Sequence, residues 1–111
     1  MRAILRLTLR GAKFETFEAA NGAEALVRLR ESGPMDVALV DWNMPEMNGY
    51  DFLTAVRGDR QHDAMKIVMV TTETEITQVQ SALSQGANEY IMKPFTRDAV
   101  IEKLQLLGLV A

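Results

Sequence analysis

The sequence predicts a single α/β domain, a doubly wound parallel sheet with helices on both faces. The first observation is a pair of short, continuous apolar runs, 37–40 and 67–70, which contain β-branched residues; the second lies in a strand predicted over 66–70. Such runs are typical of strands that are buried on both faces in a parallel sheet. The second observation is that segments with helical periodicity alternate with these strands along the chain. Alternation of this kind indicates right-handed βαβ units.

The composition limits the kind of protein. A chain of 111 residues is sufficient for one domain, and 48% hydrophobic with 24% charged residues is ordinary for a globular protein. A net charge of −3 argues against nucleic-acid binding, which usually requires a basic face. No cysteine is present and no apolar run is long enough to span a bilayer, so we expect a cytoplasmic protein without membrane contact.

The predicted elements are, in chain order, a helix over 1–10, an exposed strand over 14–18, a helix from Asn21 to 32, a strand over 37–41, a helix from Asn48, a strand over 66–70, a helix from Thr74 to Gly86, a strand over 89–92 and a helix from Thr96 to 107. The helices begin at residues whose side chains commonly cap an N-terminus. We expect their inward faces to consist of Ala23, Leu26, Val27, Leu29, Phe52, Leu53, Val56, Ile76, Val79, Leu83, Val100, Ile101, Leu104 and Leu107.

The stretch 36–49, with the sequence DVALVDWNMPEMNG, contains the first candidate site residue. Asp41 follows the apolar run directly and therefore stands at the carboxyl end of a strand. Ligands of open α/β sheets bind at these ends, so we interpret Asp41 as a functional residue. The alternative is an aspartate that only caps a helix or lies in a solvated loop.

Two further strand ends carry polar residues, Thr71 and Lys93. In a parallel sheet these ends lie on one edge, so we expect both residues to converge with Asp41. Together they suit phosphoryl transfer: the carboxylate attacks phosphorus, and the ammonium and the hydroxyl contact the transferred group. Such chemistry normally uses Mg²⁺, for which Asp41 and the main-chain carbonyl of Asn43 are candidate ligands.

These motifs resemble the receiver domain of two-component response regulators, closest to the single-domain chemotaxis (CheY-like) type. The resemblance covers nearly the whole chain and rests on VDWNMPEMNG (40–49), VMVTTE (68–73) and GANEYIMKPFT (86–96). It implies phosphorylation by a histidine kinase and a downstream target protein such as a flagellar motor switch component. It also implies a phosphoacceptor that at most catalyses its own phosphotransfer and dephosphorylation, rather than an enzyme.

The resemblance assigns roles to individual residues. It makes Asp41 the phosphoacceptor, Lys93 the lysine that contacts the phosphoryl group, and Thr71 the switch hydroxyl. Tyr90 matches the aromatic residue that moves inward when the site is phosphorylated. Pro94 matches a proline that follows a cis peptide bond, which costs little before proline.

The beginning of the chain departs from this family pattern. A receiver starts with a hydrophobic strand that ends in two consecutive acids, and we expect the domain at 1–111 to lack this central strand of the flavodoxin-like order. Without the acid pair, Mg²⁺ binding should be weak or absent and phosphorylation impaired, unless Glu46 or Glu73 substitutes. The gap in the sheet predicts a homo-oligomer, formed by domain swapping or by pairing of sheet edges. Direct pairing of 14–18 with 37–41 is the alternative.

Other functions remain open at the level of sequence. A non-catalytic interaction or dimerisation module built on the same fold would use the receiver surface without phosphorylation. A flavin-binding protein shares the fold, but no phosphate-binding loop rich in Ser, Thr and Gly follows a first strand. A phosphatase with Asp41 as nucleophile would need a second acid two positions later, where Asn43 stands.

Overall fold

The computed structural model describes residues 11, 19, 22–32, 35–41, 49–59, 64–72, 78–93 and 95–109. Their elements are, in order, α1 (Gly22–Ser32), β1 (Val37–Asp41), α2 (Gly49–Arg57), β2 (Lys66–Thr71), α3 (Val79–Gln85), β3 (Glu89–Met92) and α4 (Arg97–Leu106). The strand and helix types therefore follow the predicted alternation. The predicted elements over 1–10 and 14–18, and the caps expected at Asn21, Asn48 and Thr74, lie outside the described residues.

The described strands form one parallel sheet in the order β1-β2-β3. Val37 pairs with Lys66 at one end of β1, and Asp41 pairs with Val70 at the other. Thr71, the last residue of β2, pairs with Met92 of β3. This register places the carboxyl ends of all three strands along the same edge, as the βαβ interpretation requires.

Strand β2 lies at the centre of the described core because its side chains are buried on both faces. One cluster contains Ile67 and Met69 together with α2, through buried residues such as Leu53. The other cluster contains Val68 with Val100 and Leu104 of α4. Helices therefore pack on opposite faces of the sheet, which confirms the doubly wound, flavodoxin-like α/β fold class.

Strand β1 corrects one expectation. The apolar run before Asp41 predicts burial on both faces, but only Val40 is buried, and Val37, Ala38 and Leu39 are half-buried. Among the described residues, β1 has a strand neighbour on one side only, which is β2. A strand that lies at the edge of the described sheet is covered less completely than β2, whose residues after Lys66 are all buried.

In two helices the buried face differs from the predicted one. In α3 the buried residues are Val79 and Ala82, whereas Leu83 is 40% exposed. Ala82 belongs to the buried cluster that contains Ile67 and Met69, so the helix turns Ala82 inward and leaves Leu83 at the rim. In α1, Leu29 is buried and Leu26 half-buried as expected, but Ala23 and Val27 are exposed, because the side of the helix carrying Ala25 packs inward instead.

The predicted ends of two helices are confirmed. Thr96 precedes α4, and its hydroxyl accepts a hydrogen bond from the Ala99 N–H at 3.2 Å. Gly86 follows α3 with φ +123°, a backbone conformation that residues other than glycine rarely adopt. None of the helices in the described part of the chain has the length and apolar character that crossing a bilayer requires.

Candidate functional site

The candidate site lies where the three described strands end. Asp41 is the last residue of β1, Thr71 is the last residue of β2, and Lys93 follows β3 directly. The Lys93 N–H donates a hydrogen bond to the Thr71 carbonyl at 2.6 Å. This bond continues the pairing of β2 with β3 by one residue, so it fixes the backbone from which the Lys93 side chain extends.

Asp41 and Lys93 meet through their side chains. The Lys93 Nζ lies 2.9 Å from Asp41 Oδ1 and 3.0 Å from Oδ2, so the ammonium contacts both carboxylate oxygens. The two side chains are 25% and 23% exposed, respectively, which reduces screening by solvent while leaving the pair accessible. An acid and an amine that are 52 positions apart in the chain are therefore in direct contact, as their positions at strand ends predict.

Thr71 joins this site through its backbone. Its side chain is fully buried, and its hydroxyl donates to the Thr72 carbonyl at 3.2 Å. A buried hydroxyl needs a hydrogen-bond partner, and here the neighbouring peptide supplies one. In this conformation the hydroxyl is hydrogen-bonded to its own chain.

Tyr90 is half-buried in β3, one strand position before the buried Ile91. Its ring packs against the cluster that contains Ile67 and Met69, and the Lys103 Nζ lies 5.0 Å from the ring centroid. Lys103 also forms an ion pair with Glu89 Oε1 at 3.2 Å. The sequence carries no signal for the contact between Lys103 and Glu89, because it depends on how α4 packs beside β3.

A second network, which the sequence does not predict, lies at the opposite edge of the sheet. Arg57 Nε donates to the Gly86 carbonyl at 2.9 Å, and its Nη2 donates to the Met65 carbonyl at 2.8 Å and to Asn88 Oδ1 at 2.9 Å. Asn88 Oδ1 also accepts from the Ile67 N–H at 2.8 Å. The guanidinium therefore ties the end of α2 to the beginnings of β2 and β3, far from Asp41, and its role is structural.

The described residues do not by themselves fit a divalent cation. Within the described ranges, no group of three or more His, Cys, Asp or Glu side chains comes close enough to hold a metal ion. Asp41 supplies one carboxylate, and Lys93 contacts both of its oxygens. The expected carbonyl ligand at Asn43, the possible substitutes Glu46 and Glu73, and the expected cis bond before Pro94 all lie outside the described residues.

Comparisons with known proteins agree with this arrangement. The family model of the response regulator receiver domain matches residues 1–105. The chain is 42% identical over 108 residues to the chemotaxis protein CheY1 of Helicobacter pylori, which covers 96% of this chain and 87% of CheY1. It superposes on the structure of the chemotaxis response regulator CheY4 of Vibrio cholerae with a TM-score of 0.86 at 36% identity, covering 96% of this chain and 88% of CheY4.

A third relative contains a metal. The receiver domain of the sensor histidine kinase PA1611 from Pseudomonas aeruginosa has a magnesium ion coordinated in its active-site cleft. Its structure matches this chain with a TM-score of 0.81 at 26% identity, covering 95% of this chain and 85% of that one. The matches to the family model and to CheY1 cover most of this chain, and the described strands end in the acid, hydroxyl and amine from which the resemblance was argued. The chain belongs to the response regulator receiver domain family and, within it, is similar to the chemotaxis proteins of the CheY type.

Proposed function

We propose that this protein is a two-component signalling receiver that accepts a phosphoryl group on Asp41 from a histidine kinase, in chemotaxis signalling. The observation that carries this proposal is the contact of the Lys93 ammonium with both Asp41 oxygens at the carboxyl edge of the sheet. A carboxylate held beside a cation at an accessible edge is suited to receive a group that brings further negative charge.

The transfer involves one bond formed and one bond broken. An Asp41 oxygen attacks the phosphorus of a phosphohistidine on the kinase, a P–O bond forms, and the P–N bond breaks. The product is an acyl phosphate, and the imidazole leaves as the neutral base after taking up a proton. Lys93 stands within 3.0 Å of the attacking group, so its ammonium is placed to neutralise the oxygens of the arriving phosphoryl group. The protein thus acts as an acceptor that at most catalyses its own phosphotransfer and dephosphorylation.

The proposed readout uses Thr71 and Tyr90. The Thr71 hydroxyl would exchange its bond to the Thr72 carbonyl for one to a phosphoryl oxygen, and Tyr90 would move inward into the space that this change opens. The hydrogen bond from the Lys93 N–H to the Thr71 carbonyl supports coupling, because it joins the two residues that contact the phosphoryl group. Such a shift in population would change the affinity for a target protein, such as a flagellar motor switch component.

We further propose that phosphorylation and Mg²⁺ binding are impaired in this chain. Bound Mg²⁺ would add positive charge against the oxygens of the transferred group. The described residues offer one carboxylate at this edge, and the Lys93 ammonium contacts both of its oxygens. A divalent ion bound to Asp41 would lie beside this like charge, and the repulsion between the two supports weak binding.

Incubation with acetyl phosphate, with and without Mg²⁺, followed by intact-protein mass spectrometry tests both proposals. We expect a substoichiometric gain of one phosphoryl group that is absent in Asp41→Asn. A stoichiometric gain that Asp41→Asn abolishes would refute the impairment and retain the acceptor role. No gain at any concentration of acetyl phosphate or Mg²⁺ would refute the acceptor role.

The second candidate function is a non-catalytic interaction module built on the receiver fold. The Asp41–Lys93 ion pair favours it in one respect, because the pair neutralises the acceptor carboxylate and stabilises the edge without any phosphoryl group. This function predicts that Asp41→Asn leaves the affinity for a partner protein unchanged. The acceptor role predicts that partner affinity depends on acetyl phosphate in the unmodified chain and not in Asp41→Asn.

Self-association is also proposed, either by domain swapping or by pairing of sheet edges. It is supported by the incomplete burial of β1, in which Val37, Ala38 and Leu39 remain half-buried. Light scattering at micromolar concentration tests it, and a compact monomer would refute it. A monomer would instead favour the pairing of 14–18 with β1.

A further inference from the structure

Three side chains form a cluster beside the outer strand of the described sheet, and the proposed phosphoryl chemistry does not use two of them. Glu89 and Tyr90 are the first residues of β3, and Lys103 lies in the last turn of α4. Glu89 Oε1 accepts from the Tyr90 N–H at 3.1 Å and lies 3.2 Å from the Lys103 Nζ. The same ammonium is 5.0 Å from the centroid of the Tyr90 ring.

This arrangement holds Lys103 between two negative features. The carboxylate of Glu89 attracts the ammonium from one side, and the face of the Tyr90 ring, which carries negative quadrupole charge, attracts it from the other. The Lys103 and Glu89 side chains are 28% and 24% exposed, so the pair is shielded from solvent more than a surface pair such as Arg28–Glu24, at 47% and 41%. An ammonium held in this way stabilises the position of the Tyr90 ring in which the two groups are in contact.

The backbone supports the same position. Because Glu89 also binds the N–H of Tyr90, its carboxylate is tied to the residue whose ring it helps to hold. The next residue, Ile91, is buried against Val100 and Leu104 of α4. Lys103 directly precedes Leu104, so the packing of α4 on β3 determines where the ammonium lies. The ammonium is therefore held from α4 and by Glu89, as well as by its contact with the Tyr90 ring.

We propose that Lys103, positioned by Glu89, is a positioning residue that sets the balance between the ring positions of Tyr90. This inference rests on the proposed role of Tyr90 as the switch residue and adds the group that opposes its movement. Movement of the ring away from Lys103 gives up the cation–π contact and leaves the ion pair with Glu89 intact. Lys103 thereby sets how much a phosphoryl group at Asp41 must contribute before the ring moves.

The experiment follows the Tyr90 side chain directly. The chain contains two tyrosines, so a tyrosine-labelled sample gives one reporter at Tyr90 and an internal reference at Tyr50 in α2. Three-bond couplings at the β-hydrogens give the population of each χ1 rotamer. The variants are Lys103→Met, which removes the charge and keeps most of the side-chain length, and Lys103→Arg, which keeps the charge. Lys66→Met removes the same charge from the beginning of β2 as a matched control.

We expect Lys103→Met to lower the ratio of the observed Tyr90 rotamer to the others by about two- to fivefold, which is the factor that a partly exposed cation–π contact supplies. Lys103→Arg should restore the ratio, and Lys66→Met should leave it unchanged. Tyr50 should keep its rotamers in all variants. An unchanged Tyr90 ratio in Lys103→Met, or an equal change in Lys66→Met, would overturn the proposal.

A second variant keeps the test decisive if Lys103→Met does not fold. Glu89→Gln removes the ion pair but retains an acceptor for the Tyr90 N–H, and we expect a smaller change of the rotamer ratio in the same direction. No change in that variant would count against the proposal. The rotamer measurement uses unphosphorylated protein, whereas the acceptor role is tested by mass gain on Asp41. A negative result in the rotamer measurement therefore does not bear on the acceptor role, and the absence of a mass gain on Asp41 does not bear on the effect of Lys103 on the ring.

Discussion

Replacement of Lys93 by Met removes the cation that contacts both oxygens of Asp41, and we expect it to lower the free energy of unfolding by about 1–3 kcal/mol. At 3 Å and an effective dielectric constant of about 20, the attraction between unit charges is about 5 kcal/mol. Desolvation of both groups offsets a large part of it. The side chains are about one quarter exposed, so the net value should lie between that of a surface pair and that of a fully buried pair.

A double-mutant cycle isolates this interaction. Lys93→Met, Asp41→Asn and the double variant are unfolded in urea, and the coupling free energy is taken from the three changes in stability. Any other contacts of Asp41 cancel in the cycle as long as they are the same in both backgrounds. We expect a coupling of about 1–2 kcal/mol that persists in high salt, because partly buried pairs are screened less than exposed ones.

The Glu24–Arg28 pair of α1 provides the matched control. Its atoms lie 3.4 Å apart with 41% and 47% of the side chains exposed, and its residues are four apart on one helix. We expect a coupling of about 0.3–0.5 kcal/mol there, falling in high salt. If the Asp41–Lys93 coupling were no larger than this control, the ion pair would not hold the strand ends together, and the account of Lys93 as a resident counter-charge would be wrong.

Three further predictions concern the scaffold and use urea unfolding. Arg57→Met should destabilise by about 2–4 kcal/mol, because three hydrogen bonds from the guanidinium are lost, and Arg57→Lys should recover only part of this. Gly86→Ala should lower the free energy of unfolding by about 1–3 kcal/mol, because φ is +123° and the new Cβ would lie 2.8 Å from Arg57 Cγ. Gly108→Ala should lower it by about 1 kcal/mol, because φ is +75° but the new Cβ would meet no atom within 4 Å. Leu104→Ala should cost about 2–5 kcal/mol and Leu106→Ala, at 67% exposure, less than about 0.5 kcal/mol. Equal effects within the glycine pair, within the leucine pair, or for the two Arg57 variants would contradict the respective argument.

The sequence was sufficient for those features that neighbouring residues encode. The apolar residues at 67–70 predicted a strand buried on both faces, and these residues of β2 are buried. Thr96 and Gly86 predicted the limits of two helices through their capping chemistry and backbone conformation. Asp41 was predicted at a strand end because it directly follows the apolar run 37–40, and it is the last residue of β1. These signals are local, because run length, periodicity and cap chemistry depend on residues within a few positions of one another.

The faces of the helices were predicted less well. Leu83 fits the inward period of α3 as well as Ala82 does, and only the packing of α3 on the cluster around Ile67 and Met69 selects Ala82. Val37 to Leu39 read as fully buried, yet how far they are covered depends on what lies beside β1. A period of 3.6 or 2 gives the relative orientation of side chains on one element but not the distance of that element from its neighbours.

The sequence by itself determined an alternating α/β chain with an acid, a hydroxyl and an amine at three strand ends. The tertiary structure decided that the amine contacts both oxygens of the acid, that the Thr71 hydroxyl is buried and bonded to its neighbour, and that Lys103 lies over the Tyr90 ring. These contacts join residues from different elements or depend on the exact direction of a side chain. They arise only when helices and strands have packed, because the backbone position of a lysine determines which atoms its side chain can reach.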